Sequence, residues 1–316
     1  MEYRKLGRSG LTVSVVGVGC NNFGRLCDPE QTKAVVQAAL DEGVIFFDTA
    51  DTYGPRGLSE EFLGRALARR RHDVVVATKF AGSMGEGPLE RSGASWRYLI
   101  GAVEASLKRL GTDYIDLYQV HMPDSKTPLV ETIGAMDDLV RAGKVRYIGN
   151  SNFKGWQIAS ADWIARTEHL TPFISAQNHY NLLNREIENE VVPACMAYGI
   201  GILPFFPLAN GLLTGKYRRG VPPPEGARLS DDSPRSREQL SDPTFDKLEK
   251  LEELARSAGR TLLELAIGWL ASQPQVGSVI AGATKPEQVR ANAQAAGWKL
   301  SSDELARVDE ITGNKP

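Results

Sequence analysis

Four side chains that can pass a proton to a carbonyl oxygen stand at Asp48, Tyr53, Lys79 and His121. A lone phenol gives up its proton reluctantly at neutral pH, its ordinary pKa being about 10. An ammonium beside it favours the phenolate and brings that value down, and a carboxylate beside the ammonium holds it in place and keeps it charged. Lys79 and Asp48 suit those two tasks, and His121 could orient the carbonyl by donating a hydrogen bond. The set has no nucleophile with an adjacent base and no His/carboxylate cluster with metal-ligand spacing. Acid catalysis on a carbonyl is the chemistry expected, with no metal and with the reductant supplied from outside the side chains.

Such groups need rigid elements to aim them. Residues 44–47 (VIFF) have the length and the β-branched and aromatic content of a buried strand, and Asp48, Asp51 and Tyr53 lie on the segment leaving it. Lys79 sits near the end of the strand 74–80, and IDLYQVH ends at His121. The carboxyl end of a strand is where parallel α/β folds place their chemistry. Other strand ends carry Ser151 and Asn152, Gln177, Phe205 and Phe206, and 282–284. Singly, each has a plainer role: a surface lysine, a core histidine, a helix cap. The recurrence at one strand end after another outweighs those readings, except at Asp51 and Thr52, where a turn or cap role is preferred.

The remaining pattern is regular. A hairpin around residues 7–10 precedes a buried strand expected over 13–19, then a helix at 29–42 opened by Asp28 and Pro29. Strands near 44–47, 74–80, 115–121, 145–152, 173–180, 199–208 and 278–283 alternate with helices near 59–70, 95–110, 128–142, 185–198, 244–258, 261–272 and 286–296, with one more between 152 and 173 and a tail helix at 302–311. Eight strand-then-helix units with no linker-like break predict one domain, 1–316: a (β/α)8 TIM barrel with the hairpin capping its bottom and a helix at its C-terminus. GVGCNNFG at 17–24 has Asn22 where a dinucleotide-binding turn needs its third glycine, and the next helix starts too late, so a Rossmann fingerprint is rejected. Segment 209–243, rich in Gly, Pro, Ser and charge, is expected as a long loop.

Composition narrows the class. The 316 residues are 42% hydrophobic and 24% charged, with a net charge of −2, which gives no bulk attraction to nucleic acid or anionic membrane. The run Arg69, Arg70, Arg71 reads as a solvated helix end. No apolar stretch has the roughly 18 residues of a membrane span and the first residues lack a signal-peptide core, so a cytoplasmic protein is expected. Cys20, Cys27 and Cys195 have no metal or CxxC spacing and read as packing thiols, with Cys20 near a pocket wall.

FFDTADTYG at 46–54, TKF at 78–80, QVHMPD at 119–124, GNSNF at 149–153, PLANGLLTGKY at 207–217 and GATKPEQVRAN at 282–292 together resemble the aldo-keto reductase family over essentially the whole chain. The branch with bacterial general and sugar-aldehyde reductases and potassium-channel β subunits is the most similar. The resemblance implies NADPH or NADP+, with NADH as a less favoured alternative, extended across the barrel mouth, and hydride transfer at the carbonyl of a small-molecule substrate. It makes Tyr53 the general acid, tuned by Lys79 and Asp48, with His121 positioning the substrate oxygen. Ser151, Asn152 and Gln177 would hold the nicotinamide carboxamide, while Phe205, Phe206, Pro207, Leu208, Ala209 and Gly211 would form the floor and the start of the pyrophosphate site. Gly19, Cys20 and Asn21 would border the cofactor, Lys216 and Arg228 would contact phosphates, and Gly282, Thr284, Gln288 and Asn292 would meet the adenosine end. The chain departs from the family pattern at Phe205-Phe206, often Tyr-Ser, at Gly282 and Gln288, often the basic readers of a 2′-phosphate, and at Ala291, often Glu; Lys285 or Arg290 could substitute for the missing charge. Two other readings compete: a cofactor-sensing binding subunit, against which His121 speaks because related channel subunits have Asn there, and a barrel aldolase using Lys79 as a Schiff base, against which its pairing with Asp48 speaks.

Overall fold

The computed structural model describes residues 1–86 and 91–313. Part of the glycine-rich loop expected at 81–93 and the last three residues lie outside the described residues. Strands β1 (Tyr3–Lys5) and β2 (Thr12–Ser14) form an antiparallel hairpin, and β3 (Val16–Gly19) opens the barrel. The single strand expected over 13–19 is therefore two, broken at Val15. Ser14 makes the break: its Oγ donates to the Val16 carbonyl at 2.7 Å and accepts the Ile45 N–H at 3.0 Å, closing the hairpin register and opening the barrel register in one step.

From there the chain alternates through α1 (Pro29–Asp41), β4 (Phe46–Asp48), α2 (Leu58–Leu67), β5 (Val75–Phe80), α3 (Trp96–Leu110), β6 (Ile115–Val120), α4 (Leu129–Arg141), β7 (Val145–Ser151), α5 (Gly155–Thr167), β8 (Ser175–His179), α6 (Val191–Tyr198) and β9 (Gly201–Phe205). It ends through α7 (Pro234–Gln239), α8 (Asp242–Ser257), α9 (Leu262–Ser272), β10 (Val279–Gly282), α10 (Pro286–Ala295) and α11 (Ser302–Thr312). Helix starts follow local chemistry: Asp28 with Gln31, Thr261 with Glu264, and Ser301 with Glu304 form reciprocal capping boxes. Segment 209–243 holds more regular structure than expected, a 3-10 turn at Ala209–Thr214 and α7, whose Pro234 follows a Ser233 side chain that caps Ser236 N–H at 3.2 Å. The arginine run is also not uniformly solvated. Arg71 is buried, bound to Asp116 at 2.8 Å and to the Tyr114 carbonyl at 3.0 Å, because the chain tightens into a 3-10 turn at Ala68–Asp73 that swings it inward.

Eight parallel strands run β10-β3-β4-β5-β6-β7-β8-β9, forming a nearly closed (β/α)8 barrel. Between the end strands, Ile202 N–H donates to the Gln275 carbonyl at 2.7 Å and Gly277 N–H to the Ile202 carbonyl at 2.9 Å, an isolated bridge at Ile202 and Val276. The lumen is packed with side chains, among them Phe46, Ala77, Leu117, Leu203 and Ile280. The hairpin plugs the amino-terminal end. Leu6 is wholly buried, and a Cβ at Gly201 or Gly277 would lie 2.6 or 2.4 Å from its Cδ1, so glycine at both positions is what lets the plug seat. A second apolar layer, including Val35, Leu63, Leu99, Met136, Ile158 and Leu265, lies between strands and helices. Among the described residues no helix is long and apolar enough to cross a membrane.

Candidate active site

Asp48 is the last residue of β4 rather than the first beyond it, and that register turns its carboxylate into the lumen, where it is almost wholly buried. Lys79, one residue before the end of β5, is completely buried beside it. Its Nζ donates to Asp48 Oδ2 at 2.5 Å, to the Thr49 carbonyl at 2.8 Å and to Tyr53 Oη at 3.4 Å. The other carboxylate oxygen, Asp48 Oδ1, accepts from Gln177 Nε2 at 2.8 Å and from Gln119 Nε2 at 3.2 Å. A buried ion pair survives only when its remaining lone pairs and protons are also engaged, and here they are. Tyr53 stands on the turn after β4 and meets the His121 ring edge to face, centroids 5.6 Å apart. His121 follows β6, its carbonyl held at 2.9 Å by Asn152 Nδ2.

Electrostatics refine the expected roles. Burial works against the Lys79 charge, but Asp48 and Tyr53 outweigh it and hold the ammonium above its ordinary range. For Tyr53, burial comes first and raises the phenol, with Lys79 pulling the other way and Asp48 adding to the rise. The net lowering expected for Tyr53 is thus corrected: Lys79 acts in the anticipated direction, yet desolvation of the phenolate is larger. Burial, then Lys79, pushes His121 down to about 3, so it is a neutral imidazole at physiological pH, and its Nδ1 is buried without a hydrogen-bond partner.

Three of the four groups open onto one cleft of about 580 Å³ at the carboxyl ends of the strands. Asp48, Tyr53 and His121 line it with Ser151, Asn152, Gln177 and Phe205, with Phe206, Pro207, Leu208, Gly211, Lys216 and Arg228, and with Gly282, Thr284, Gln288 and Asn292; Gly19, the register partner of Gly282, and Asn21 line it too. Three candidates do not line it. Lys79 lies beneath, Ala209 is nearly buried, and the Cys20 thiol turns into the core toward the Val18 carbonyl at 3.5 Å. Gln177 and Ser151 are bonded within the protein, Ser151 Oγ to the Gln177 carbonyl at 2.9 Å. Gln288 Oε1 accepts the Thr284 N–H at 2.7 Å and so starts α10.

Halfway along, positive charge collects. Arg228 is held below its ordinary range by burial and by Arg25 and Arg235, and Lys216 by burial and by Arg228. Among the described residues no carboxylate pairs with either. Arg228 Nη2 instead reaches Asn22 Oδ1 at 3.3 Å, joining the 209–243 segment to the turn after β3 across the cleft. The floor is backbone bent into the left-handed region at Phe206, Ala209, Asn210 and Gly211, with the Phe205 ring stacked on His179 at 5.5 Å. Unneutralised cations over such a floor suit a multiply charged anion.

Sequence reading missed Gln119 and Asn22 as site residues. Gln119 had a usable signal, since it shares the inward face of β6 with Leu117, two residues away. Asp51 was expected to close a turn or cap a helix. Its side chain does neither: it is buried, and among the described residues neither carboxylate oxygen has a hydrogen-bond partner. Among the described residues no group of three or more His, Cys, Asp or Glu could hold a metal ion.

A family profile described as "Aldo/keto reductase family" matches residues 15–312. The chain is 38% identical over 324 residues to a rice protein named "Probable voltage-gated potassium channel subunit beta", covering 100% of this chain and 98% of that one. It is 35% identical to the L-glyceraldehyde 3-phosphate reductase of Escherichia coli K12, covering 98% of this chain and 92% of that one. With the versiconal hemiacetal acetate reductase of Aspergillus parasiticus the identity is 34%, covering 98% and 96%.

Proposed function

Because this chain belongs to the aldo/keto reductase family, we propose that it is an oxidoreductase that reduces aldehyde or ketone carbonyls with NADPH, Tyr53 acting as the general acid. The observation that carries the reading is the Tyr53 hydroxyl within hydrogen-bond reach of a buried ammonium at the head of a cleft with unpaired cations along it. A nicotinamide dinucleotide bound there would supply the hydride. Ser151, Asn152 and Gln177 border the place for its carboxamide, Lys216 and Arg228 the place for its phosphates, and Asn21 brings a buried Oδ1 that has no partner among the described residues.

The chain's own residues would then complete the reduction. As negative charge develops on the substrate oxygen, Tyr53 Oη passes it a proton, giving the alcohol, and Lys79 Nζ, 3.4 Å away, steadies the phenolate left behind. Asp48 holds Lys79 so that this charge is present beforehand. The neutral imidazole of His121 donates one hydrogen bond to the same oxygen and orients it. Tyr53→Phe should lower turnover of a reactive aldehyde by about 10²- to 10⁴-fold, the range of general acid catalysis. NADPH affinity, read from the coenzyme's own fluorescence, should stay near that of the wild type. Turnover within a few-fold of the wild type would defeat the proposal.

A second reading is favoured by the relatives named potassium channel β subunits: a cofactor-binding subunit with little turnover. It predicts NADPH binding with negligible reduction across a broad carbonyl panel, and a polypeptide partner.

A further inference from the structure

Behind the turn that carries Tyr53 lies a buried cluster of titratable groups that the reaction above does not use. Asp51 points into it and is only 1% exposed. Around it stand Glu60 from α2, Tyr98 and Arg109 from α3, Tyr118 from β6 and, more distantly, Lys79 from β5. None of them satisfies it. Arg109 is committed to Glu60 at 2.6 Å, Thr78 Oγ1 occupies the other Glu60 oxygen at 2.5 Å, and the Tyr98 hydroxyl donates to the Gly82 carbonyl at 3.3 Å. The Thr52 N–H and the Tyr98 hydroxyl only face Asp51, without hydrogen bonds of normal geometry, and the Tyr118 hydroxyl is itself unpartnered. A buried carboxylate with neither a counter-ion nor hydrogen bonds is costly, and such a group settles instead as the neutral acid.

The backbone ties Asp51 to the catalytic groups. Its N–H donates to the Lys79 carbonyl at 3.1 Å, and Tyr53, two residues on, bonds back to the Ala50 carbonyl at 3.1 Å. Thr52 packs over Gly82, where a Cβ would lie 2.6 Å from the threonine methyl. A swing of Asp51 toward water therefore carries Tyr53 with it.

We propose that Asp51 is a positioning residue: uncharged, it lets the turn 49–54 dock and set Tyr53 over Lys79, and its ionisation releases that turn. Burial, then the charge on Glu60, pushes its carboxyl up to about 7, so the release falls in the physiological range. The folded value lies above the ordinary 3.8 of an unfolded aspartate. The proton is therefore bound more tightly in the folded state, and the contribution of Asp51 to stability is full below about pH 4 and lost as pH rises through about 7. Its bearing on catalysis rests on the reductase reading; its bearing on the turn does not.

The test compares wild type with Asp51→Asn, which keeps the shape and cannot ionise, by thermal melting from pH 5 to 9 and by turnover of 4-nitrobenzaldehyde with NADPH over the same range. The wild-type melting temperature should fall relative to the variant up to about pH 7 and then run parallel to it. Wild-type kcat should drop about tenfold between pH 6 and 8, the protonated fraction for a group titrating near 7, while the variant stays level. Should Asp51→Asn not fold, Asp51→Ser serves in the same comparison. Parallel melting curves throughout, or equal falls in kcat, overturn the proposal. If neither protein turns over the aldehyde at any pH, the reductase reading fails and the melting curves decide the role of Asp51 by themselves.

Discussion

Asp48 and Asp51 are three residues apart and both buried, yet the protein treats them in opposite ways. Asp48 receives one ammonium and two amide donors, on both of its oxygens. Asp51 receives none. The first arrangement anchors a carboxylate against a buried ammonium. The second leaves an acid whose charge depends on its surroundings. Burial by itself does not decide what a carboxylate does; the donors aimed at it do.

The contrast can be broken most forcefully at Lys79. Lys79→Met should abolish measurable turnover and cost about 3–5 kcal/mol of stability in denaturant titration, because Asp48 is left buried without its partner. The double variant Lys79→Met/Asp48→Asn should regain much of that stability and none of the turnover. A single Lys79→Met as stable as the wild type would mean the pair is not the anchor described. Gln119→Leu removes one donor of several and should cost about 1–3 kcal/mol. Its turnover should fall no more than about tenfold, since the ammonium remains. Tyr118→Phe, on the Asp51 side, should be neutral or stabilising by up to about 1 kcal/mol, because the hydroxyl it removes has no partner to lose. A loss comparable with Gln119→Leu would show that the Tyr118 hydroxyl is satisfied after all.

The barrel was legible because eight near-continuous apolar strands, many ending in chemistry, alternate with helices along the whole chain. The break at Val15 was not, since it depends on one serine side chain bonding to Val16 of β3 and Phe46 of β4. Asp48, Tyr53, Lys79 and His121 announce themselves by residue type at strand ends, whereas Asp51 reads as a turn aspartate. Which donors reach a carboxylate is a property of four other segments. The same holds for the direction of the Tyr53 shift, where spacing names the neighbouring ammonium and only the folded chain tells how much water is excluded. Arg71 illustrates the reverse error, a charge run taken as solvated when one member of it turns inward to Asp116.

The ring of strands is sewn shut at a single stitch, where β9 meets the segment entering β10 through Ile202. One border of that seam leads to Phe205 and Lys216, the other to Gly282 and Asn292. Every other neighbouring pair of barrel strands shares a ladder of at least three register partners. The amides of Ile202 and Gly277 should therefore trade their hydrogens for deuterium ahead of those in the remaining strands, and a long ligand laid from one border to the other would act as a suture, slowing that exchange from outside the sheet.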